Sequence, residues 1–392
     1  MKDSLYLAYR YLAYNRVRTL VLTFSVAIII FLPIGLKRLI SESEDQMLSR
    51  ANSTPLIAGK KGSPTDLVIN TLYFQQEKIE TLTMEFASVL DGTGFGYAIP
   101  VLSSYKARGF PIVGTSLDYF EFRDLPLGSG RLFGVVGECV IGSNVARRLD
   151  IQQGDSLISS PESFFDFAGV YPLKMDIVGV LGQSNTPDDD AVFVDIKTTW
   201  IIMGLGHGHQ DLAKIYDPTL VLDRSDSSVT AGAKLFMYNQ ITDDNMESFH
   251  FHGDTKDYPI TSIIFVPNSQ KSSTLLRGRI ETGELENQVV VPTLVVNNLL
   301  QSIFRLKQIF NSVFVIVGLA VILIFGLVIA LSLRLRKDEL YTMFTIGSGK
   351  RKIAQIIGME LVLLVVTSAL ISGILYYITG FFINEFINVF II

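Results

Sequence analysis

The sequence predicts a membrane α-helical protein with three spans and a large α+β extracytoplasmic domain carried on a helical stalk. Three charge-free stretches, 19–36, 308–333 and 361–384, are long and apolar enough to cross a bilayer as helices. The residues between the first two stretches have the mixed composition of an ordinary folded domain. Short groups of basic residues flank the apolar stretches and orient them in the membrane.

The overall composition agrees with this architecture. Of the 392 residues, 48% are hydrophobic and 18% are charged, and the charged share is below the roughly 25% of a typical soluble protein. The net charge is −5, so we expect no nucleic acid as a partner. The apolar stretches imply membrane lipid as a partner. The single cysteine, Cys139, excludes an intrachain disulfide and is expected to be a buried apolar residue.

The N-terminal segment is predicted to reach the membrane from the cytoplasm. Residues 1–18 mix leucine and tyrosine with arginine, which favours an interfacial helix on the cytoplasmic face, with a plain basic flank as the alternative. The first span is expected at 19–36, where Pro33 is tolerated. Because Lys37 and Arg38 follow directly and no small-residue cleavage site is present, we expect a signal anchor, not a cleaved signal peptide.

The distribution of charge orients the other two spans. The loop 334–360, between the spans 308–333 and 361–384, is rich in lysine and arginine and is therefore predicted to be cytoplasmic. The basic N-terminus is predicted inside for the same reason. These two assignments agree only if 37–307 and the tail 385–392 lie outside.

The outer segment 37–307 is predicted to be an α+β domain. Its ends, 37–50 and 297–307, have helical character and form the expected stalk. Strand-like stretches with turn signals recur at 97–102, 110–114, 139–142, 175–181, 191–195, 260–266 and 288–291. Short helices are expected at 144–149 and 198–203, and 205–217 is the expected boundary if the domain has two subdomains.

The cytoplasmic loop is predicted to form a helix, a turn and a second helix. Apolar residues recur at helical spacing from Leu340 to Ile346, and a Gly-Ser-Gly break follows at 347–349. The first helix would expose an apolar face in the cytoplasm, which is typical of a helix that docks into a partner's groove. Burial of this face against the N-terminal interfacial helix is the alternative.

Two local motifs suggest a bound ligand, but neither predicts a binding site. The GSGK stretch at 347–350 lacks the earlier glycine of a phosphate-binding loop, because Phe344 occupies that position, so we expect no ATP binding by this motif. The acidic run 188–190 has carboxylates that suit a cation, but a single acidic turn is more often solvated.

The four histidines form two H-x-H pairs, His207 with His209 and His250 with His252. Alternate residues of a strand face one side, so each pair could chelate zinc or copper. The first pair lies in GLGHGHQD, which is expected to be a flexible loop, and nothing in the sequence brings the pairs together. The four histidines are therefore interpreted either as zinc ligands or as polar residues of loops.

The loop and the outer domain together resemble one family. In the loop, the matching residues are Lys337, Glu339, Ile346, Gly347, Arg351 and Glu360; in the outer domain, the matching stretches are 53–74, 111–120, 137–146 and 185–200. This combination resembles FtsX-like permeases of the MacB type and covers nearly the whole chain.

The resemblance implies a permease of a type VII ABC transporter in the bacterial inner membrane, with the outer domain in the periplasm. Such permeases are dimeric and are not enzymes themselves. A separate subunit binds ATP and magnesium and drives the outer domain by mechanotransmission, for export or extraction of substrate from the periplasmic side. The residues implied to dock or shape the coupling helix are Glu339, Met343, Phe344, Ile346, Gly347, Arg351 and Glu360.

Some implications stay open. Members of this family typically have four spans, whereas the sequence predicts three. A periplasmic adaptor and an outer-membrane channel are further implied partners. Two alternative functions remain: a signalling permease like FtsX that activates a periplasmic cell-wall hydrolase, and a membrane receptor whose outer domain senses a ligand.

Overall fold

The computed structural model describes residues 2–75, 79–160, 172–208, 221–224, 229–231, 239–242, 244–283 and 286–390. The chain forms two compact units. One, the helical unit, contains the residues up to Asp45 and from Leu300 onward, and the other, the outer domain, contains Gln46–Leu299.

The helices are α1 (Lys2–Tyr14), α2 (Arg16–Asn52), α3 (Pro64–Tyr73), α4 (Met84–Asp91), α5 (Asp118–Arg123), α6 (Ser143–Leu149), α7 (Ile196–Ile202), α8 (Gln270–Glu281), α9 (Pro292–Leu335), α10 (Lys337–Thr345) and α11 (Lys350–Phe390). The first strands are β1 (Leu56–Lys60), β2 (Leu82–Thr83), β3 (Gly96–Ala107), β4 (Phe110–Thr115), β5 (Leu127–Gly130), β6 (Glu138–Ile141), β7 (Ser156–Ile158), β8 (Leu173–Leu181) and β9 (Val192–Asp195). The later strands are β10 (Gly206–Gly208), β11 (Val221–Arg224), β12 (Val229–Ala231), β13 (Asn239–Gln240), β14 (Phe249–Phe251), β15 (Pro259–Ile260), β16 (Ser262–Pro267) and β17 (Asn287–Val290).

Long apolar helices make up most of the helical unit. Two helices, Arg16–Asn52 and Lys350–Gly380, are long and apolar enough to cross a membrane. In the expected second span, the apolar stretch among the described residues is the shorter Ser312–Ile324, within the 44 residues of α9. Two of the three expected spans therefore coincide with such helices, and the span at 308–333 stays a prediction.

Polar contacts join helices within this unit. The Ser368 hydroxyl of α11 donates a hydrogen bond of 3.0 Å to the Thr23 carbonyl of α2. Arg38 donates to the Tyr376 carbonyl at 3.3 Å, and its guanidinium lies 4.6 Å from the centre of the Tyr376 ring. These contacts fix α2 against α11 at two levels along their length.

The ends of the helices differ from the expected boundaries. A turn at Asn15 separates α1 from α2, so α2 begins three residues before the span predicted at 19–36. The stalk segments 37–50 and 297–307 are helical, as parts of α2 and α9. Helix α11 continues to Phe390, so 385–390 extend that helix and do not form a separate tail.

The outer domain is organised around one sheet. Its strand order is β13-β8-β6-β9-β4-β3-β16-β1-β17, with β5 and β7 also paired to β8. The pairs β4–β9, β6–β8 and β8–β13 are parallel, and the other pairs of this sheet are antiparallel. Each predicted strand coincides with an observed one, although the stretch 260–266 is divided between β15 and β16. The helices expected at 144–149 and 198–203 are α6 and α7.

The expected subdomain boundary at 205–217 is wrong. Strands on the two sides of this segment pair within the same sheet, since β8 lies beside β13 and β3 lies beside β16. The local turn residues that suggested a boundary mark a connection within one domain, because a loop and a linker share the same composition.

Alternating burial explains why the sheet forms. In β8, Leu173, Met175 and Ile177 are buried, and the residues between them are more exposed. Cys139 on the neighbouring β6 is fully buried in the same apolar cluster, as expected. A second cluster surrounds Trp200 and Phe265, and a third contains Tyr119 and Phe193, so the sheet and its helices enclose several apolar clusters.

Candidate functional site

The segment between α9 and α11 forms the predicted helix, turn and second helix. Helix α10 ends at Thr345, and the turn is closed by hydrogen bonds from the Gly347 and Ser348 amides to the Phe344 and Met343 carbonyls, each 3.0 Å long. Gly347 has φ +103°, a left-handed conformation that other residues rarely adopt. Glycine at this position therefore lets α10 stop and α11 start in a new direction.

Apolar side chains of α10 and its turn are exposed. Phe344 is 48% exposed and Ile346 is 80% exposed, and Tyr341 on the same helix is also exposed. The Lys350 ammonium lies 5.9 Å from the centre of the Phe344 ring. An apolar helix face bordered by a cation suits a partner groove with an acidic rim.

The other predicted coupling residues take different positions. Met343 is half-buried, Gly347 and Arg351 are exposed, and Glu339 lies in α10 with its side chain outside the described part. Helix α1 packs along α11, and Ile356 of α11 is buried. Packing against the N-terminal helix therefore covers part of the loop but leaves Phe344 and Ile346 uncovered.

Glu360 belongs to a buried ion pair and not to the exposed face. Its two carboxylate oxygens accept hydrogen bonds of 3.0 and 2.9 Å from Arg336, at the junction of α9 and α10. The Arg336 guanidinium also lies 3.5 Å from the centre of the Tyr11 ring in α1. In the sequence, Arg336 is one of the basic residues that orient the loop, and no local pattern relates it to partners that lie far away along the chain.

A second buried charge cluster lies in the outer domain. Arg50, in the last turn of α2, forms a bidentate ion pair with Asp188, and one of its bonds is 2.8 Å long. The Tyr119 hydroxyl donates to Asp188 at 2.7 Å and accepts from Arg50 at 2.9 Å. The remaining guanidinium nitrogen, Nε, donates to the Leu72 carbonyl at 3.2 Å. Each nitrogen of Arg50 and each carboxylate oxygen of Asp188 thus has a partner inside the protein.

The environment keeps both members of the pair charged. Burial opposes ionisation of Asp188, but the charge of Arg50 and its hydrogen bonds outweigh burial and hold the pKa of Asp188 below its ordinary value. Burial likewise opposes the charge of Arg50, and Asp188 more than offsets it, so the pKa of Arg50 is raised. Burial raises the pKa of Tyr119 to about 12, so its hydroxyl stays protonated and donates.

The expectation that the acidic run 188–190 is solvated is wrong. Asp188 and Asp189 are buried, and Asp189 accepts hydrogen bonds of 2.9 and 2.7 Å from the Ser184 and Asn185 amides. Asp190 accepts from the Asn144 amide group at 2.7 Å. Asp189 caps the loop, and Asp188 and Asp190 connect the turn to α2 and α6. A buried carboxylate needs such hydrogen-bond partners.

Two of the histidines are brought together across a pair of short strands. Strands β10 and β14, with His252 directly after β14, form what we call the histidine ribbon; His207 pairs with His250 in antiparallel register. The stretch around His207 is therefore a strand, and the expected flexible loop is wrong for 206–208. His209 lies outside the described residues. Among the side chains that are described, no group of three or more His, Cys, Asp or Glu is placed to hold a metal ion.

Comparison with known proteins identifies the family. The model of the MacB-like periplasmic core domain matches residues 23–235, more than half of the chain. No curated protein matches this sequence.

Solved structures give weaker likenesses. The periplasmic region of MacB from Actinobacillus actinomycetemcomitans aligns with 12% identity and a TM-score of 0.38, over 64% of this chain and 97% of that one. The extracellular domain of the noncanonical ABC-type transporter YknZ from Gram-positive bacteria aligns with 12% identity and a TM-score of 0.33, over 60% and 98% of the two chains. The assignment therefore rests on the family model: the chain belongs to the MacB/FtsX-like family of type VII ABC transporter permeases.

Proposed function

We propose that this chain is a permease subunit that works by mechanotransmission. A separate ATPase subunit, which the family implies, would dock on α10 and move it during ATP hydrolysis. Helices α2 and α9, which each contribute residues to both units, would carry the motion to the periplasmic domain. The observation that supports this most directly is the exposure of Phe344 and Ile346 on a short helix between basic residues.

We further propose that α9 provides the second of the three spans, at 308–333. Its described side chains include a run of exposed apolar residues, namely Val315, Ile316, Leu319, Ile322 and Leu323. Apolar surface of this extent needs lipid or a second copy of the chain to cover it. The N-terminus and 334–360 would then be cytoplasmic, the C-terminus periplasmic, and the working form a homodimer.

The docking role is tested by capture of the ATPase subunit. We expect the Phe344→Asp and Ile346→Asp double variant to lose a co-purifying subunit that hydrolyses ATP, because a charged face cannot fill an apolar groove. Thr345→Asp adds a charge at another exposed position of α10, about 100° around the helix from each of the two, and serves as the matched control. Retention of the ATPase by the double variant would contradict the proposal.

Export and signalling are distinguished by which periplasmic protein the outer domain captures. Export or extraction of a substrate predicts that the domain captures a periplasmic adaptor, which leads to an outer-membrane channel. Signalling of the FtsX kind predicts that it captures a cell-wall hydrolase whose activity then depends on ATP. Crosslinking in intact cells, followed by assay of the captured protein, separates these two outcomes.

A further inference from the structure

A second arginine, Arg123, lies beside the buried pair of Arg50 and Asp188. It is the last residue of α5, four residues after Tyr119, and its guanidinium lies 5.8 Å from the centre of the Tyr119 ring. Residues four apart share one face of a helix. Because the Tyr119 hydroxyl donates to Asp188 at 2.7 Å, α5 carries both its tyrosine and its arginine to this cluster.

The guanidinium of Arg123 has no carboxylate of its own in the described part of the chain. Its Nη1 donates to the Ser53 hydroxyl at 3.1 Å. Its Nε and Nη2 are buried, and among the described residues they have no hydrogen-bond partner. Asp188 is already occupied, since both of its oxygens accept from Arg50. The cluster therefore combines two guanidinium groups with one carboxylate.

A buried positive charge without an anion is costly, so Arg123 is drawn to the carboxylate nearby. Burial and the like charge of Arg50 lower the pKa of Arg123, whereas Tyr119 and Asp188 oppose this change. The charge of Arg123 in turn helps to lower the pKa of Asp188. Arg123 and Asp188 thus attract each other while Arg50 holds the carboxylate.

The end of α2 occupies both groups at once. Ser53 follows α2 directly, and its hydroxyl accepts from Arg123 and donates to the Arg50 carbonyl at 3.0 Å. The side chain of Arg50, in the last turn of the same helix, holds Asp188. A displacement of α2 that withdraws Arg50 from Asp188 therefore also removes Ser53 from Arg123. The carboxylate and the second guanidinium become free in the same movement.

We propose that Arg123 is a second counter-ion for Asp188 and takes the place of Arg50 when α2 shifts. Tyr119 belongs to the same helix as Arg123, so it stays bonded to the carboxylate in both arrangements. The end of α2 is then an element with two discrete positions, in each of which Asp188 has a cation. The shift of α2 rests on the proposed mechanotransmission, whereas the pairing of Arg123 with Asp188 does not.

The pairing is tested by a double-mutant cycle on the full chain in detergent, unfolded by urea and followed by the fluorescence of the buried Trp200. We expect Arg50→Met to lower the free energy of unfolding, because its hydrogen bonds are lost. Arg123→Met alone should change it little, because Arg50 still holds Asp188. The variant with both changes should lose more than the sum of the two, because Asp188 is left without a cation. Losses that simply add would overturn the proposal.

Two further variants separate charge from packing. In the Arg50→Met background, Arg123→Lys keeps the positive charge and should preserve more stability than Arg123→Met; equal losses would overturn the proposal. Arg279→Met, at an exposed position of α8, is the matched control, and its effect should add to that of Arg50→Met.

A neutral cluster covers the case in which the double variant does not fold. Adding Asp188→Asn to Arg50→Met and Arg123→Met removes the last buried charge and should restore a cooperative unfolding transition, and a triple variant without one would overturn the proposal. These measurements involve no ATPase, so additive losses would leave the docking of α10 untouched. Retention of the ATPase by the Phe344 and Ile346 double variant would contradict the proposed function and leave the pairing of Arg123 with Asp188 standing.

Discussion

Arg50 carries a positive charge from the last turn of α2 into the interior of the outer domain. Each of its three guanidinium nitrogens has a partner among Asp188, Tyr119 and the Leu72 carbonyl. A buried pair of this kind adds little net stability over an apolar pair, but loss of one partner leaves the other charge without compensation. The stability of the outer domain therefore depends on both Arg50 and Asp188 being present.

We expect Asp188→Asn to destabilise the outer domain by about 3–5 kcal/mol, because the Arg50 charge would remain buried without its counter-charge. The measurement is urea unfolding of the detergent-solubilised chain, followed by the fluorescence of Trp200, the single and buried tryptophan. Asp150→Asn, at an exposed position, should change stability by less than about 0.5 kcal/mol. An equally small effect at Asp188 would contradict this assignment.

The same pair predicts how stability depends on pH. The pKa of Asp188 is lowered in the folded state, so the unfolded chain binds the proton more tightly. The stability that the Asp188 carboxylate contributes is therefore complete above the unfolded pKa of about 3.9, and it is lost as pH falls through the lower folded pKa. Asp188→Asn should flatten the decline in stability below about pH 4, and a decline identical to wild type would count against the pair as its source.

At the scale of single elements, α6 and the turn 187–190 are in direct contact through Gly142. An added Cβ at Gly142 would lie 2.3 Å from the Asp189 carbonyl oxygen and 2.4 Å from that of Asp188. Backbone cannot rotate away as a side chain can, so the two elements would have to separate. This contact keeps Asp188 in place beside Arg50.

Two identical substitutions should therefore have opposite effects. Gly142→Ala should destabilise the domain by about 1–3 kcal/mol through overpacking. Gly278→Ala, in the exposed interior of α8 with open space around it, should stabilise it by about 0.5–1 kcal/mol. Chemical unfolding of both variants checks this, and destabilisation of similar size at both sites would show that close contact at Gly142 is not the cause.

The elements that the sequence predicts well are those with strong local patterns. Strand-like stretches with turn signals located β3, β8 and β16, and helical spacing with a Gly-Ser-Gly break located α10 and α11. The pairings of Arg50 with Asp188 and of Arg336 with Glu360 were not predictable, because each joins residues that no local period relates. The histidine register was missed for a similar reason: Gly206 and Gly208 suggest flexibility until the phenylalanines that cover them are known.

At the scale of the whole molecule, the arrangement across the membrane can be tested by cysteine labelling. Burial raises the pKa of the Cys139 thiol, so the native cysteine should stay unreactive in the folded chain. Lys271→Cys, in the outer domain, should react with an impermeant maleimide from the periplasmic side. Thr345→Cys should react only after the cytoplasmic side is opened, and labelling of both from one side would contradict the proposed topology.

The position of β1 in the sheet has a consequence for how the protein is made. Strand β1 pairs with β16 and β17, so Leu56 lies opposite Phe265, and Lys60 lies opposite Asn287. In the proposed topology the N-terminus stays in the cytoplasm, and the outer domain would cross the membrane with β1 long before either partner. Pairings so distant in sequence form slowly, and strand edges stay open meanwhile. Biogenesis of the outer domain should therefore depend on holding chaperones until β17, which ends at Val290, has crossed the membrane.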